Sequence, residues 1–417
     1  MTADASEQTL AAAPKHWLNR NILGMGLASL FSDWNHEMAT AILPLFLSTV
    51  LGAPAFALGL IEGVADGVST LFQIWSGWYS DRIGKRKGLA ILGYAVTAGA
   101  KATFALATSW WQVLFGRTFG WIGWAIRSPV RDALVLESTT PATVGRAFAF
   151  HRTLDTIGAI LGPLTATLLI AHVSLRTIFV VSLIPGLCAV LAIIFLVKEK
   201  PRQPILSRPW ESLTALSRDF RKFLLPVGLF GISNFAPTLL ILRAQDLLTP
   251  SQGALAAGAF AIGLYTFGNV MYALVAYPIG VLADHMSKRV ILSTGYALFG
   301  LLCLGFIFAD EQKWILVLLF ALNGIYTAII ESSQPALAST LMQEDQHGAG
   351  YGLMSAVDGL GDFLSSITMG LIWTFISPNA GFAAAGILAL VSALMLAWMR
   401  FPLPVAVASD VFLSPKS

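Results

Sequence analysis

Gly77-Trp-Tyr-Ser-Asp81-Arg82-Ile-Gly84-Lys85-Arg86-Lys87 is a charge-dense turn set between two apolar runs, 56–79 and 88–108. As a helix, each run is long enough to cross a hydrocarbon core about 30 Å thick, which takes about 20 residues. A carboxylate and several cations between two such runs read as the water-facing connection of a membrane hairpin. The turn also recurs. At a constant offset of 203 residues, Gly77, Asp81, Lys85 and Arg86 fall on Gly280, Asp284, Lys288 and Arg289. Ala133 and Leu134 fall on Ala336 and Leu337, and Gly145, Asp155 and Gly158 on Gly348, Asp358 and Gly361. An ungapped register held over so much chain argues for two halves in the same orientation, a known transporter architecture.

Working outward, apolar length with Gly, Pro and charge punctuation places spans at 21–47, 56–79, 88–108, 110–137, 146–171 and 174–197. A second set follows at 222–247, 255–282, 289–309, 313–341, 350–376 and 379–400. The fold expected is an all-α membrane protein, twelve transmembrane helices arranged as two pseudo-symmetric six-helix bundles, 1–197 and 222–417, joined by a polar linker, 198–221. Composition agrees. The 417 residues are 56% hydrophobic and 12% charged, with mean hydropathy +0.72, whereas a soluble domain carries roughly 25% charged residues. The net charge of +3 is too small, and its cations too scattered among short loops, to argue for nucleic acid. Cys188 and Cys303 both lie in apolar runs and suggest neither a disulfide framework nor a zinc site. The first apolar segment reads as a retained helix, since no short cleavable hydrophobic region precedes it. Arg82, Lys85 to Lys87, the linker cations, Lys288 and Arg289 share one face, while the other has little beyond Arg176 and Lys313. The positive-inside rule then places both termini in the cytoplasm.

The quoted turn resembles the signature between helices two and three of the major facilitator superfamily (MFS), and the stretch from Gly280 through Asp284 to Lys288 and Arg289 resembles its second copy. Gly158-Ala-Ile-Leu-Gly162-Pro163 is similar to the helix-five motif of the family's proton-coupled antiporters, without the glycines that follow the proline there. Arg117 resembles the family's helix-four arginine, with Gly120 and Gly123 at shifted spacing. The resemblance covers the whole chain and implies alternating access, a monomer in a bacterial inner membrane, and gating roles for Gly77, Asp81, Arg82, Gly84, Arg86, Asp284, Arg289, Gly158, Gly162 and Pro163.

An ionisable group at membrane depth costs a few kcal/mol and normally faces protein or a watery cavity. The third and sixth spans of each half carry almost none, Lys101 being the exception, so they are expected to face lipid while the others enclose a polar path. In span one, Asp33, His36 and Glu37 stand at helical spacings of three and four, and span two offers Glu62 and Asp66 four apart. At 1.5 Å per residue, Asp33 and Asp66 reach a common level near the midplane. Acids crowded in a poorly hydrated place are candidates to take up and release a proton. A basic group, Arg127, Arg131 and Arg152 with His151, Asp132 and Asp155, lies nearer the cytoplasm and could face a substrate cavity, as could Glu331, Asp358 and Asp362. Structural pairing, Arg131 with Asp132 and Arg152 with Asp155, is the alternative. Arg243 and Asp246 read as an exposed or interhelical ion pair.

These features suggest a proton-coupled transporter of a small solute, an organic anion, metal chelate or drug, with the helix-five motif tilting the reading towards export. A second reading keeps the fold and makes Asp33, His36 and Glu37, with Glu62 and Asp66, the ligands of a divalent metal or coupling cation. A non-transporting receptor or scaffold, or a membrane enzyme, is a third; no nucleophile with base, phosphate loop or intramembrane zinc pattern supports an enzyme, and no cofactor is expected.

Overall fold

The computed structural model describes residues 17–83, 86–140, 143–199, 216–343 and 346–400, without the side chains of Asp81, Ile83, Asp284, His347, Gly348 and Ala349. The first half contains α1 (Arg20–Thr49), α2 (Ala55–Ile83), α3 (Lys87–Ala102) with a 3-10 turn over Thr103–Leu106, α4 (Trp110–Glu137), α5 (Val144–Leu169) and α6 (Leu175–Leu196). The second contains α7 (Arg218–Gly231), α8 (Pro237–Gln252), α9 (Ala254–His285), α10 (Lys288–Phe308), α11 (Lys313–Thr340), α12 (His347–Phe375) and α13 (Pro378–Trp398).

Local chemistry sets the ends of these helices. The Asn19 side chain accepts from the backbone N–H groups of Asn21 and Ile22, and Ser174, Ser217 and Ser377 cap α6, α7 and α13 in the same way. The turn after α1 uses Gly52 at φ +59°, and α8 passes into α9 through Gly253 at φ +79°, backbone that glycine adopts without a Cβ clash. Eleven expected spans meet their helices to within a few residues. The seventh is a correction. It is broken between Gly231 and Pro237 into α7 and α8. Proline at the start of α8 has no N–H to donate and biases Ala236 towards extended backbone. The opened backbone is satisfied from α12: Ser366 accepts the Ala236 N–H at 3.1 Å, and the Ser365 hydroxyl donates to the Asn234 carbonyl at 2.9 Å.

Among the described residues, seven helices, α2, α3, α6, α9, α10, α11 and α13, are long and apolar enough to cross a membrane by length and composition alone. The spans outside that set carry ionisable groups within the helix or the break, so the same residues that lower their hydropathy mark the interior path. Large apolar side chains on α6 and α13, among them Ile184, Leu187, Ile387 and Leu394, are exposed as a lipid-facing surface requires.

The halves meet along α2 with α12, α5 with α9, and α1 with α8 and α9. A Cβ on Gly59 would strike the Ser366 carbonyl oxygen, and one on Gly63 would lie 2.7 Å from the Phe363 carbonyl, so glycine is what lets α2 and α12 touch. This contact runs from the face opposite the quoted turn as far as Thr70 and Gly359. Beyond it, towards the basic face, Leu71, Ile74, Trp75 and Trp78 on α2 are exposed. The bundle is closed on the face opposite the basic loops and parted on the basic face.

Candidate functional site

Where the halves part, a central cavity of about 460 Å³ is walled by α1, α2 and α4 from one half and by the span-seven break, α9, α11 and α12 from the other. A second chamber of about 280 Å³ shares Glu37, Tyr265, Thr327 and Glu331 with it and adds Arg152, Asp155 and Asn269. Among the described residues, the third and sixth spans of each half contribute nothing to either lining.

One ion pair of the site is almost wholly buried. Arg117 on α4 grips Glu62 on α2 with Nε to Oε2 at 3.0 Å and one terminal nitrogen at 2.8 and 3.1 Å, while its other terminal nitrogen donates to Thr40 on α1 at 2.8 Å. Bidentate geometry is what the planar guanidinium offers and lysine does not. Behind it, Lys101 has no exposed surface and no hydrogen-bond partner for its ammonium, which sits 6.0 Å from the Phe104 ring centroid. The lysine of an outward-facing span therefore points into its own half.

The four candidate acids and the imidazole divide. His36, Glu37, Glu62 and Asp66 line the central cavity. Asp33 does not join them: it faces Arg127 at 3.6 Å and packs against Gly158 of α5. Spacings of three and four leave side chains fanned across a helix face, and here each of the three span-one groups meets a different neighbour. His36 lies edge-on to Trp121, with ring centroids 5.1 Å apart, and Glu37 crosses to the other half, accepting the Tyr265 hydroxyl at 2.8 Å. The divalent-metal set of Asp33, His36 and Glu37 is consequently not assembled; among the described residues, no group of three or more His, Cys, Asp or Glu is placed to hold a metal ion.

The basic group is also redistributed. Arg127 has no exposed surface and lies 4.4 Å from the Tyr94 ring centroid, inside the first half rather than on a cavity wall. Arg131 pairs with Asp132 at 3.0 Å and reaches the Ser29 hydroxyl. With His151, Arg152 and Asp155 they line a vestibule on the basic face. Arg152 crosses the gap: it pairs with Glu331 of α11, reaches Tyr272 at 2.7 Å and stands 3.7 Å from Asp155, while the Tyr272 hydroxyl donates to Glu331 at 2.6 Å. Asp362 lines the central cavity, whereas Asp358 accepts from Gln334 at 2.7 Å. Arg243 is another correction: it bonds Asn379 of α13 at 2.7 Å, and no bridge to Asp246 is present among the described residues.

The expected gating residues act within their own halves in this arrangement. Gly158 and Gly162 bring α5 against α1, where a Cβ on Gly162 would lie 2.7 Å from the Met38 nitrogen, with Pro163 beside it in the buried stretch. Gly77 faces Pro129 of α4. Arg82 is exposed, 5.3 Å from the Trp78 ring centroid. Arg86 binds Glu137 and Glu199, and Arg289 binds the Met399 carbonyl at the end of α13. Asp81 and Asp284, by their side chains, and Gly84 altogether lie outside the described residues.

Residues that the charge map passed over complete the site. Tyr265, Asn269 and Tyr272 form a polar stripe, at spacings of four and three, on the otherwise apolar α9. Trp121 stands four residues after Arg117, and Asn234 comes with the break. The polar stripe was visible in the sequence, but it carries no charge to give it away.

The family model described as Major Facilitator Superfamily matches residues 25–239 and 227–412, nearly the whole chain. The chain belongs to that superfamily. An uncharacterized MFS-type transporter of Methanocaldococcus jannaschii is 33% identical over 384 residues, covering 91% of this chain and 94% of the relative. The multidrug resistance protein MdtG of Escherichia coli is 24% identical over 387 residues, with 89% and 91% coverage. Among solved structures, nucleoside transporter NupG superposes with a TM-score of 0.73 at 14% identity, covering 90% of this chain and 98% of that one. Peptide transporter POT gives 0.75 at 12%, covering 91% and 94%. At that identity these two show the fold, and the fold is that of an MFS transporter: an integral membrane protein and not an enzyme.

Proposed function

We propose that this MFS transporter couples a small solute to protons by alternating access, with Glu37 as the coupling carboxylate. The bodies that move are 1–197 and 222–417, joined by 198–221. The observation that carries the reading is the hydrogen bond from Tyr265 to Glu37, 2.8 Å long, between α9 of one half and α1 of the other. Asp33 and Glu62 are held by arginines of their own half, and His36 packs on a tryptophan of its own half. Glu37 is the candidate that accepts a hydrogen bond from the other half, so its protonation acts directly on that contact. As a carboxylate it receives a charge-assisted hydrogen bond, roughly twice as strong as a neutral one. A proton on Glu37 removes that advantage and loosens α9 from α1. Arg152 with Glu331 and Tyr272 is then the crosspiece on the basic side, made in this arrangement and broken when the vestibule opens fully.

Orientation follows the basic loops: termini and vestibule cytoplasmic, in a bacterial inner membrane, with the cavity facing the cytoplasm here. Loading from that side suits export, and the relative named a multidrug resistance protein supports the same direction. The test reconstitutes the full chain in proteoliposomes with an imposed pH gradient, using a solute first selected by thermal stabilisation. Glu37→Gln is expected to keep exchange of that solute while losing its accumulation against a gradient. Accumulation undiminished in Glu37→Gln would overturn the assignment.

A further inference from the structure

We infer that the solute is an organic cation, held by its charged nitrogen between Asp66 and Asp362. The inference rests on the central cavity being the transport path, and begins with its charges. An organic anion needs an available guanidinium or ammonium. Arg117 is bound to Glu62 and Thr40, Arg127 faces Asp33, Arg131 holds Asp132, and Arg152 holds Glu331. Lys101 has no exposed surface and lines neither chamber. The acids are differently placed. Asp66 and Asp362 both line the central cavity, and neither has an ion-pair partner among the described residues. Glu37, on the same lining, has only the Tyr265 hydroxyl. With its carboxyls ionised, the chamber carries more acid than base on its lining.

The two aspartates also come from opposite halves. Asp66 stands on α2 and Asp362 on α12, beside the contact where Gly63 and Gly67 meet Phe363. A cation between them is attracted by both bodies at once, so its binding strengthens the arrangement seen here over one in which α2 and α12 have separated. That differential attraction is what lets a ligand shift a conformational equilibrium.

The walls have matching chemistry. Trp121, Phe235, Tyr265 and Tyr326 line the same cavity, and aromatic faces attract cations through their quadrupoles. Two polar atoms on that lining are buried without a partner: Thr238 Oγ1, on a residue 2% exposed, and His36 Nδ1, on one 9% exposed. A volume near 460 Å³ lies in the range of cavities that take drug-sized molecules.

The test measures saturable thermal stabilisation of the purified full chain by one skeleton in three charge states: phenethylamine, phenethyl alcohol and 3-phenylpropionate. Benzamidine and ethidium extend the cations in size. Stabilisation is expected from cations and not from the alcohol or the anion. Asp66→Asn and Asp362→Asn should each weaken cation binding at least tenfold, with part of the affinity restored in Asp66→Glu. Competition against ethidium fluorescence supplies a binding readout independent of folding stability. Equal binding of the alcohol or the anion, unchanged cation affinity in both Asn variants, or no saturable binding by any cation of the set overturns the inference. Glu37-dependent accumulation of a different solute under a pH gradient would leave the coupling proposal standing while this one fails. Cation binding without that dependence would do the reverse.

Discussion

The two halves repeat one fold at a 203-residue offset and fill it with different chemistry. Inside the first half lie Arg117 with Glu62, Arg127 with Asp33, and the unpartnered Lys101. Inside the second, Phe230 stacks on Tyr296 with centroids 3.9 Å apart, and Phe299, Phe306, Phe320 and Phe382 continue an aromatic core. Among the described residues of that half, Arg243 is the one buried charge. The contrast holds at repeat-related positions. Arg131 and Asp155 share the charged vestibule; 203 residues on, Gln334 and Asp358 share a hydrogen bond of 2.7 Å, with Tyr296 donating to Gln334 at 2.9 Å. Where the first half has a cation beside an anion, the second has an amide beside one. A charged interior responds to a proton or a cation, whereas a close-packed aromatic one resists change. The proposed coupling therefore draws its switch from the first half and its rigid counterpart from the second.

The largest expected effect comes from breaking the first half's interior pair on one side. Arg117→Met leaves Glu62 buried and unpaired, which costs about 3–5 kcal/mol by the general behaviour of such pairs. Thermal unfolding in detergent should show a marked drop, and the double variant Arg117→Met with Glu62→Met should recover most of it. If the charges serve transport, the recovered double variant remains inactive in proteoliposomes. Full activity there would make the contrast between the halves a matter of stability alone.

A second test acts where the two halves meet. Gly59→Leu places a side chain against the Ser366 carbonyl and the backbone of Gly370. Overpacking of this kind costs roughly 1–3 kcal/mol, and here it is relieved by parting α2 from α12. Cysteine labelling near the non-basic ends of those helices should therefore rise while transport falls by tenfold or more. Unchanged labelling would mean that the strain is absorbed within one half.

Much of this was readable before any coordinates, for physical reasons that also explain the gaps. Charge is costly at membrane depth, so its scarcity maps spans, loops and the interior path, and an ungapped repeat exposes two halves. Helical spacing tells which residues share a face but not which neighbour each one meets. Asp33, His36 and Glu37 therefore read as one cluster and fold into three separate contacts. Arg127 likewise reads as a cavity residue because spacing along one helix does not show that Asp33 faces it from another. The break in span seven had a signal in Ser233, Asn234 and Pro237, but an apolar run of ordinary length hid it. Tyr265, the partner of Glu37, is uncharged, and cost alone does not reveal neutral residues.

The smallest expected effect lies in the second half. Tyr296→Phe keeps the stack on Phe230 and deletes one hydrogen bond to Gln334. A buried neutral hydrogen bond contributes about 1 kcal/mol net, so a modest fall in unfolding temperature is expected. Gln334 keeps its bond to Asp358, and Tyr296 lines neither chamber. Gradient-driven accumulation in Tyr296→Phe should then match the parent chain, in contrast to Tyr265→Phe, which removes the cross-half partner of Glu37. These two tyrosines lose the same hydroxyl, one inside a half and one between halves, so the pair separates hydrogen-bond loss as such from loss at the joint. Equal damage to transport in both variants would show that the aromatic half takes part in the switch and that the division between the halves is less sharp than their interiors imply.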